Sequence, residues 1–259
     1  MSGNKIMKYL VNCLIAIVAC GFLFVNDAGA LTCETNPGKI PITLGYHGTK
    51  VTISGKDLNA SDVIIQIHSD LGEEHLKYIG KAGGIFWMKL GNMIFENVPA
   101  VYLVYSTKPI HDIIPPETCK ELSISFDALR KKAEIKSDLK DLDREKWLNE
   151  FLKFKKDKHL YHQESGVVKV DSANHAYTVT IDWPFEAPPG EYYVEVFAIQ
   201  DGKVVDKAES KIKVERVGIE KTLSHMAFEK PALYGIIAIV VAIVAGFGVG
   251  MVFKGGGGH

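Results

Sequence analysis

The sequence predicts a mainly β fold: β-sandwich modules with a helical insert, followed by a single C-terminal transmembrane helix. Three observations carry this. Short runs of alternating apolar and polar residues, separated by Gly, Pro, Asn and Asp, fill most of the middle of the chain. A lysine-rich stretch near the centre switches to helical periodicity. Residues 232–253 (ALYGIIAIVVAIVAGFGVGMVF) carry no charge. At about 1.5 Å of rise per residue, such a helix crosses a hydrocarbon core of roughly 30 Å.

The N-terminus has the three parts of a secretory signal, assigned to residues 1–30, the alternative being an uncleaved anchor helix. Lys5 and Lys8 give the positive start, Tyr9 to Val25 the apolar middle, and Ala28-Gly29-Ala30 a cleavage pattern before Leu31. Ile17-Val18-Ala19-Cys20 resembles a lipobox, but the apolar GFLFV follows it where a lipoprotein turns polar. Removal of the signal places the body in the periplasm, with the C-terminal helix as stop-transfer segment in the inner membrane of a bacterium. Residues 254–259 leave almost no charge for the positive-inside rule and read as an added tail. A net charge of −1 offers no basic field for nucleic acid. Of four cysteines, Cys13 and Cys20 fall in the signal, so export leaves Cys33 and Cys119 as a disulfide candidate. Such a bond would contribute ~4–5 kcal/mol in the chain-entropy picture.

The first sandwich module is assigned to residues 31–118. Lys50 to Ser54 alternates; Val63, Ile65 and Ile67 share one face, and Gln66 and His68 the other. Further strands are expected at 75–79, 85–89, 93–98 and 100–105, broken at Asp70-Leu71-Gly72, Gly83-Gly84, Gly91-Asn92 and Pro99. The helical insert is assigned to 119–165. One helix starts at Phe126 and runs to Ile135; a longer one, capped by Asp141 or Asp143, carries the stripe Trp147, Leu148, Phe151, Leu152. Lys155, Lys156 and Lys158 suit the negative end of its dipole. A second module, 166–217, has strands at 167–170, 177–183, 192–200, 204–210 and 211–215. Asp201-Gly202 supplies the positive φ values of a primed hairpin turn. The passage APPGEYYVEVFAIQDGKVV (187–205) looks like two adjacent strands of an immunoglobulin- or fibronectin-like sandwich. So few strands cannot bury both faces of a sheet, which leaves open a core shared with the first module. Residues 218–231 form a juxtamembrane helix, and Pro231 starts or kinks the membrane helix of 232–253.

This order of features resembles the uncharacterised bacterial "putative transmembrane protein" family first described from alphaproteobacteria. The matching passages are GYHGTKVTISG (45–55), GIFWMKLGNMIFENVPAVYLVYSTKPI (84–110), APPGEYYVEVFAIQDGKVV and the LYG of Leu233 to Gly235. The resemblance spans almost the whole mature chain and carries no catalytic motif. It implies an exported protein with one C-terminal span and, by association with permeases resembling sulfite or sulfonate exporters, a transporter-associated or envelope-redox role.

The sequence contains no H-E-x-x-H, G-x-S-x-G, P-loop, dinucleotide fingerprint or C-x-x-C. No catalytic residue, cofactor or metal site is therefore assigned, and the expectation is a non-enzymatic protein. His159 and His162, with Glu164, lack a complete ligand set; His225 and Glu229 read as a surface pair; His47 lies in a glycine-bounded turn. The feature with mechanical content is in the membrane helix. Ala238, Ala242, Gly246 and Gly250 recur every four residues and make a small-residue ridge, the surface along which helices pack closely in lipid. The expected function is an accessory protein that binds or stabilises a membrane complex, by self-association or with a membrane-protein partner. The alternative is a periplasmic receptor for a small anion or metal feeding a neighbouring permease, through the His47 turn or the His159/His162 end.

Overall fold

The computed structural model describes residues 29–254 except 44, 83–84 and 139–142. Most of the predicted signal peptide, with Lys5, Lys8, Cys13 and Cys20, lies outside the described residues, as do 255–259. The chain divides into two units, residues 1–30 and 31–259, and the second holds every strand and helix among the described residues.

In chain order the first strands are β1 (Glu34–Asn36), β2 (Lys39–Ile42), β3 (Lys50–Gly55), β4 (Asp62–Ser69), β5 (Leu71–Ala82), β6 (Phe86–Pro99) and β7 (Tyr102–Ser106). Next come helices α1 (Ile110–Ile113), α2 (Pro116–Glu121) and α3 (Phe126–Lys132), strand β8 (Glu134–Ser137), helix α4 (Arg144–Asp157) and strand β9 (Tyr161–Ser165). Strands β10 (Lys169–Asp171), β11 (Ala176–Asp182), β12 (Gly190–Gln200) and β13 (Lys203–Arg216) precede helices α5 (Ile219–Glu229) and α6 (Pro231–Lys254). Strand outweighs helix, as the alternating patterns predict.

Among the described residues the strands form three sheets. Sheet A has the order β1-β3-β11-β10, sheet B β2-β13-β12-β4-β7-β9, and sheet C β5-β6-β8. Neighbours are antiparallel except β2 with β13 and β7 with β9, which are parallel. This corrects the predicted boundary between modules 31–118 and 166–217. β3 pairs with β11 and β4 with β12, so sheets A and B each draw strands from both segments. Alternation shows that a run is a strand but not which distant strand it pairs with, and neither segment alone has enough strands to bury a sheet.

Sheet B is apolar on both faces at its centre. Val63 to Ile67 of β4 are all buried, and so is the whole of β7. Leu103 and Tyr105 of β7 point toward Val179 and Ile181 of sheet A, whereas Tyr102 points the other way, its hydroxyl donating to the Ser123 carbonyl at 2.6 Å. The 107–160 segment thus covers the outer face of sheet B, which explains why β4 is buried on both faces, with Gln66 the one polar residue of the run from Val63 to Ile67. Sheet A keeps a solvated face: Val51 and Ile53 are buried while Lys50 is exposed and Thr52 and Ser54 are half-buried. Gly55 ends β3 where a Cβ would lie 1.9 Å from the Thr32 carbonyl oxygen and 2.5 Å from Tyr177 Cε1, so only glycine fits.

Local signals hold at several points. Ser125 caps α3, accepting from Ala128 N–H at 3.2 Å, and Asp143 caps α4, accepting from Lys146 N–H at 3.1 Å. Asp201 and Gly202 take φ values of 51° and 77°. Several expectations differ from the structure: Leu71 and Gly72, expected in a break, open β5, and α1 and α2 begin inside the segment assigned to the first module. The helix begun at Phe126 ends at Lys132, and Ile135 instead joins β8, paired with Phe95 on the open edge of β6. Gly91-Asn92 does not break a strand; β6 runs through it with a bulge opposite Tyr78/Ile79. The residues 204–215 form one strand, β13, not two.

The stripe on α4 also reaches further than expected. Leu148, Phe151 and Leu152 are buried, and so is Lys155, at 1% exposure. Phe151 stacks on Phe95 at 4.4 Å, and the Lys155 ammonium donates to Glu74 at 2.6 Å and to the Ala100 carbonyl at 3.3 Å. A residue expected at a solvated helix end therefore pins α4 to the base of the β5–β6 hairpin.

Candidate functional site

Two features can carry function: a cleft in the β body and the uncovered surface of α6. The cleft, about 480 Å³, opens where β7 and β9 of sheet B run past β11 of sheet A. The parallel register sets Leu103 opposite His162 and Tyr105 opposite Glu164, so His162 and Glu164 share the face that Tyr105 presents to sheet A. His159 reaches the cleft from the turn after α4, where its φ is 55°. Trp183 and Phe185, just beyond β11, close the other wall.

Within it the His162 Nε2 lies 3.3 Å from the Glu164 carboxylate, and the Tyr105 ring lies 5.9 Å from the imidazole. Burial, reinforced by the carboxylates of Glu164 and Asp182, pushes the Tyr105 phenol up and keeps it a neutral donor. Trp183 is 3% exposed, packs edge-on against Tyr192 at 4.9 Å, and its indole N–H has no acceptor among the described residues. Phe185 is 60% exposed and stacks on Tyr46 at 5.9 Å. This is an aromatic cleft with hydrogen-bond donors and a histidine–carboxylate pair. No group of three or more side chains that could hold a metal ion occurs among the described residues.

The predicted site residues converge only in part. The cleft gathers His159, His162 and Glu164, although His162 sits on a strand and not at a helix end. His47 does not line it; its Nδ1 bonds the Gly45 carbonyl at 2.5 Å, but the adjacent Tyr46 stacks on the cleft's Phe185. His225 and Glu229 pair at 3.0 Å on the surface of α5. Cys33 and Cys119 are not bonded; both are free thiols. Cys33 immediately precedes β1 of sheet A and interacts with Tyr177, while Cys119 belongs to α2, on the outer side of sheet B. Sheet B lies between them, and a disulfide needs Cβ atoms within about 4.5 Å. An argument from compartment alone cannot see that separation.

A third place was not singled out by sequence. On the outer face of sheet B, a pocket of about 300 Å³ gathers Gln66, His68, Glu195, Tyr102, Ser123 and Lys132. Hydrogen bonding from His68, helped by Lys207, holds the Glu195 carboxyl down at about 2, and the same contact raises His68. His68 and Glu195 meet only through the pairing of β4 with β12.

Pro231–Met251 of α6 has a mean hydropathy of 2.6, and none of it is buried. Ala238, Ala242, Gly246 and Gly250 are all exposed. A Cβ added at Gly246 or Gly250 would meet nothing within 4 Å, so the ridge is open to a neighbour.

A β-rich body followed by one uncovered apolar helix of this length defines a class: membrane proteins with a single candidate C-terminal span. The chain belongs to the family described as "Putative transmembrane protein (Alph_Pro_TM)", whose model matches residues 30–255. No curated protein matches the sequence.

Proposed function

We propose that this is a non-enzymatic accessory protein of the bacterial inner membrane: a periplasmic, immunoglobulin-like sandwich that binds a membrane complex through its C-terminal helix. The observation that carries the reading is the open ridge Ala238, Ala242, Gly246, Gly250 on a helix that the body leaves wholly uncovered. In lipid the hydrophobic effect does not drive helices together, so close backbone approach along small residues does.

Other observations support the remaining parts. The strand orders of sheets A and B support the immunoglobulin-like part of the reading, in which β1 and β2 serve as the two halves of a first strand that switches sheets. Tyr192, near the start of β12, donates to the Pro188 carbonyl at 2.5 Å, the tyrosine-corner contact of such sandwiches. Export is supported at Leu31, where the compact unit begins directly after Ala28-Gly29-Ala30. Leu31 is 6% exposed and its N–H donates to the Asp206 carboxylate at 3.0 Å, so a chain cut there gains an ammonium facing a carboxylate.

Purification of the full chain from native membranes in mild detergent, with mass spectrometry, tests the reading. A stoichiometric membrane-protein partner or a dimer is expected, and Gly246→Leu with Gly250→Leu should release it. A monomer with nothing bound would contradict it. The same preparation tests a second reading, capture of a small ligand by the Trp183 cleft. Thermal shifts with sulfur oxyanions or divalent metals support that reading, and their absence removes it.

A further inference from the structure

The β5–β6 hairpin has no counterpart in the sandwich and takes no part in the cleft or the ridge. It continues the β4–β7 pair past Asp70 and Ala100, and its base is covered on one edge by β8, which pairs with Met93 to Glu96, and on one face by α4. Beyond Tyr78, which packs edge-on against Trp147 of α4 at 4.8 Å, the ribbon is two-stranded among the described residues. There Ile79 is 59% exposed, Ile85 74%, Phe86 72% and Met88 52%. The register sets Ile79 beside Lys89, and Gly80 and Ala82 beside Met88 and Phe86, so apolar side chains occupy both faces. An isolated two-stranded ribbon is marginal in water, and one that exposes such groups needs cover.

Charge identifies the cover. Between Glu74 and Glu96 the sequence has Lys77, Lys81 and Lys89 and no carboxylate. Lysines around exposed aliphatic and aromatic groups suit an anionic lipid surface, the stems lying along the acyl chains and the ammonium groups at the phosphates.

Topology places the hairpin where a bilayer is available. Ser69, at the end of β4, pairs with Tyr192 at the start of β12, and Gly190 pairs with Val214 near the end of β13. The hairpin therefore leaves sheet B at the same end as the chain leaves for α6, two strands away, or about 10 Å. Its arms of 12 and 14 residues reach roughly 40 Å at about 3.3 Å per residue. The 11-residue α5 that separates β13 from α6 spans only about 16 Å.

We propose that the distal half of the β5–β6 hairpin inserts its apolar side chains into the anionic surface of the bilayer that α6 crosses, giving the body a second membrane contact. This rests on the reading of α6 as a membrane tether and not on its partner. The test places p-benzoylphenylalanine at Phe86 of the full chain, in nanodiscs of phosphatidylglycerol or of phosphatidylcholine, and reads peptide masses after irradiation. A phospholipid adduct on the peptide holding position 86 is expected, strong in phosphatidylglycerol and weak in phosphatidylcholine. It should be lost when Lys77, Lys81 and Lys89 become Glu. The same photoprobe at Val205, 53% exposed on β13, should gain no lipid. An adduct to a second copy or another protein, no lipid adduct, equal yields in the two lipids, or equal yields at both positions would overturn the proposal. Because none of these outcomes involves the ridge, failure here leaves the partner reading standing, and loss of the partner leaves this contact standing.

Discussion

Glu195 lies between His68, 3.6 Å away, and Lys207, 2.8 Å away, all on the outer side of sheet B. The contact raises His68 above its ordinary value of 6.5 and lowers Glu195 from 4.5 to about 2. A histidine raised by folding contributes stability that is complete below its unfolded value and lost as pH rises through its folded value. Glu195, lowered by folding, contributes above its unfolded value and loses that contribution as pH falls toward about 2. The melting temperature of the full chain should therefore decline as pH climbs from about 6.5 through the raised value of His68. In Glu195→Gln that slope should flatten, and an unchanged slope would show that the contact does not shift His68. Alternation put His68 on a face with Gln66, but its partner is 127 positions away and emerges only with the register of β4 on β12. Local chemistry was legible by contrast: Asp143 as a cap and Asp201-Gly202 as a turn need only near neighbours.

At the scale of elements, α4 is held by a charge as well as by its apolar stripe. Lys155 is buried against Glu74, with its ammonium 5.6 Å from the Phe151 ring and 5.7 Å from that of Tyr161. Lys155→Ala leaves the partly buried Glu74 carboxylate without its cation and opens a void, and should destabilise by about 3–5 kcal/mol. Lys155→Met keeps the volume and should destabilise more than Glu74→Gln combined with it, since the double change removes both charges. Thermal melting followed by tryptophan fluorescence reads the series, and a Lys155→Ala chain as stable as the parent would refute the pinning role. The helix itself was readable because 3.6-residue periodicity is a local property. Its buried lysine was not, since Glu74 comes from another element. β9 escaped notice for a related reason: Tyr161–Ser165 (YHQES) has no apolar alternation and is a strand because β7 offers it a free edge.

At the scale of the whole molecule, sheets A and B each interleave strands from both halves of the body, and the segment between those halves folds back over sheet B. Most of the longer runs in these sheets, β3, β4, β7, β11, β12 and β13, are legible as strands, whereas the short β1 and β2 and the polar β9 are not; α6 is legible as a candidate span. The pairing that merges two expected modules, and the distance it puts between Cys33 and Cys119, depend on contacts across more than a hundred residues and leave no local trace. The proposed accessory role, and the receptor reading of the cleft with it, place the body on the outer side of the membrane. The most direct measurement is labelling of intact spheroplasts with a membrane-impermeant amine reagent, with peptide masses read for Lys50, Lys207 and Lys211. These lysines should be modified before lysis; modification only after lysis would put the body in the cytoplasm and contradict the proposed orientation.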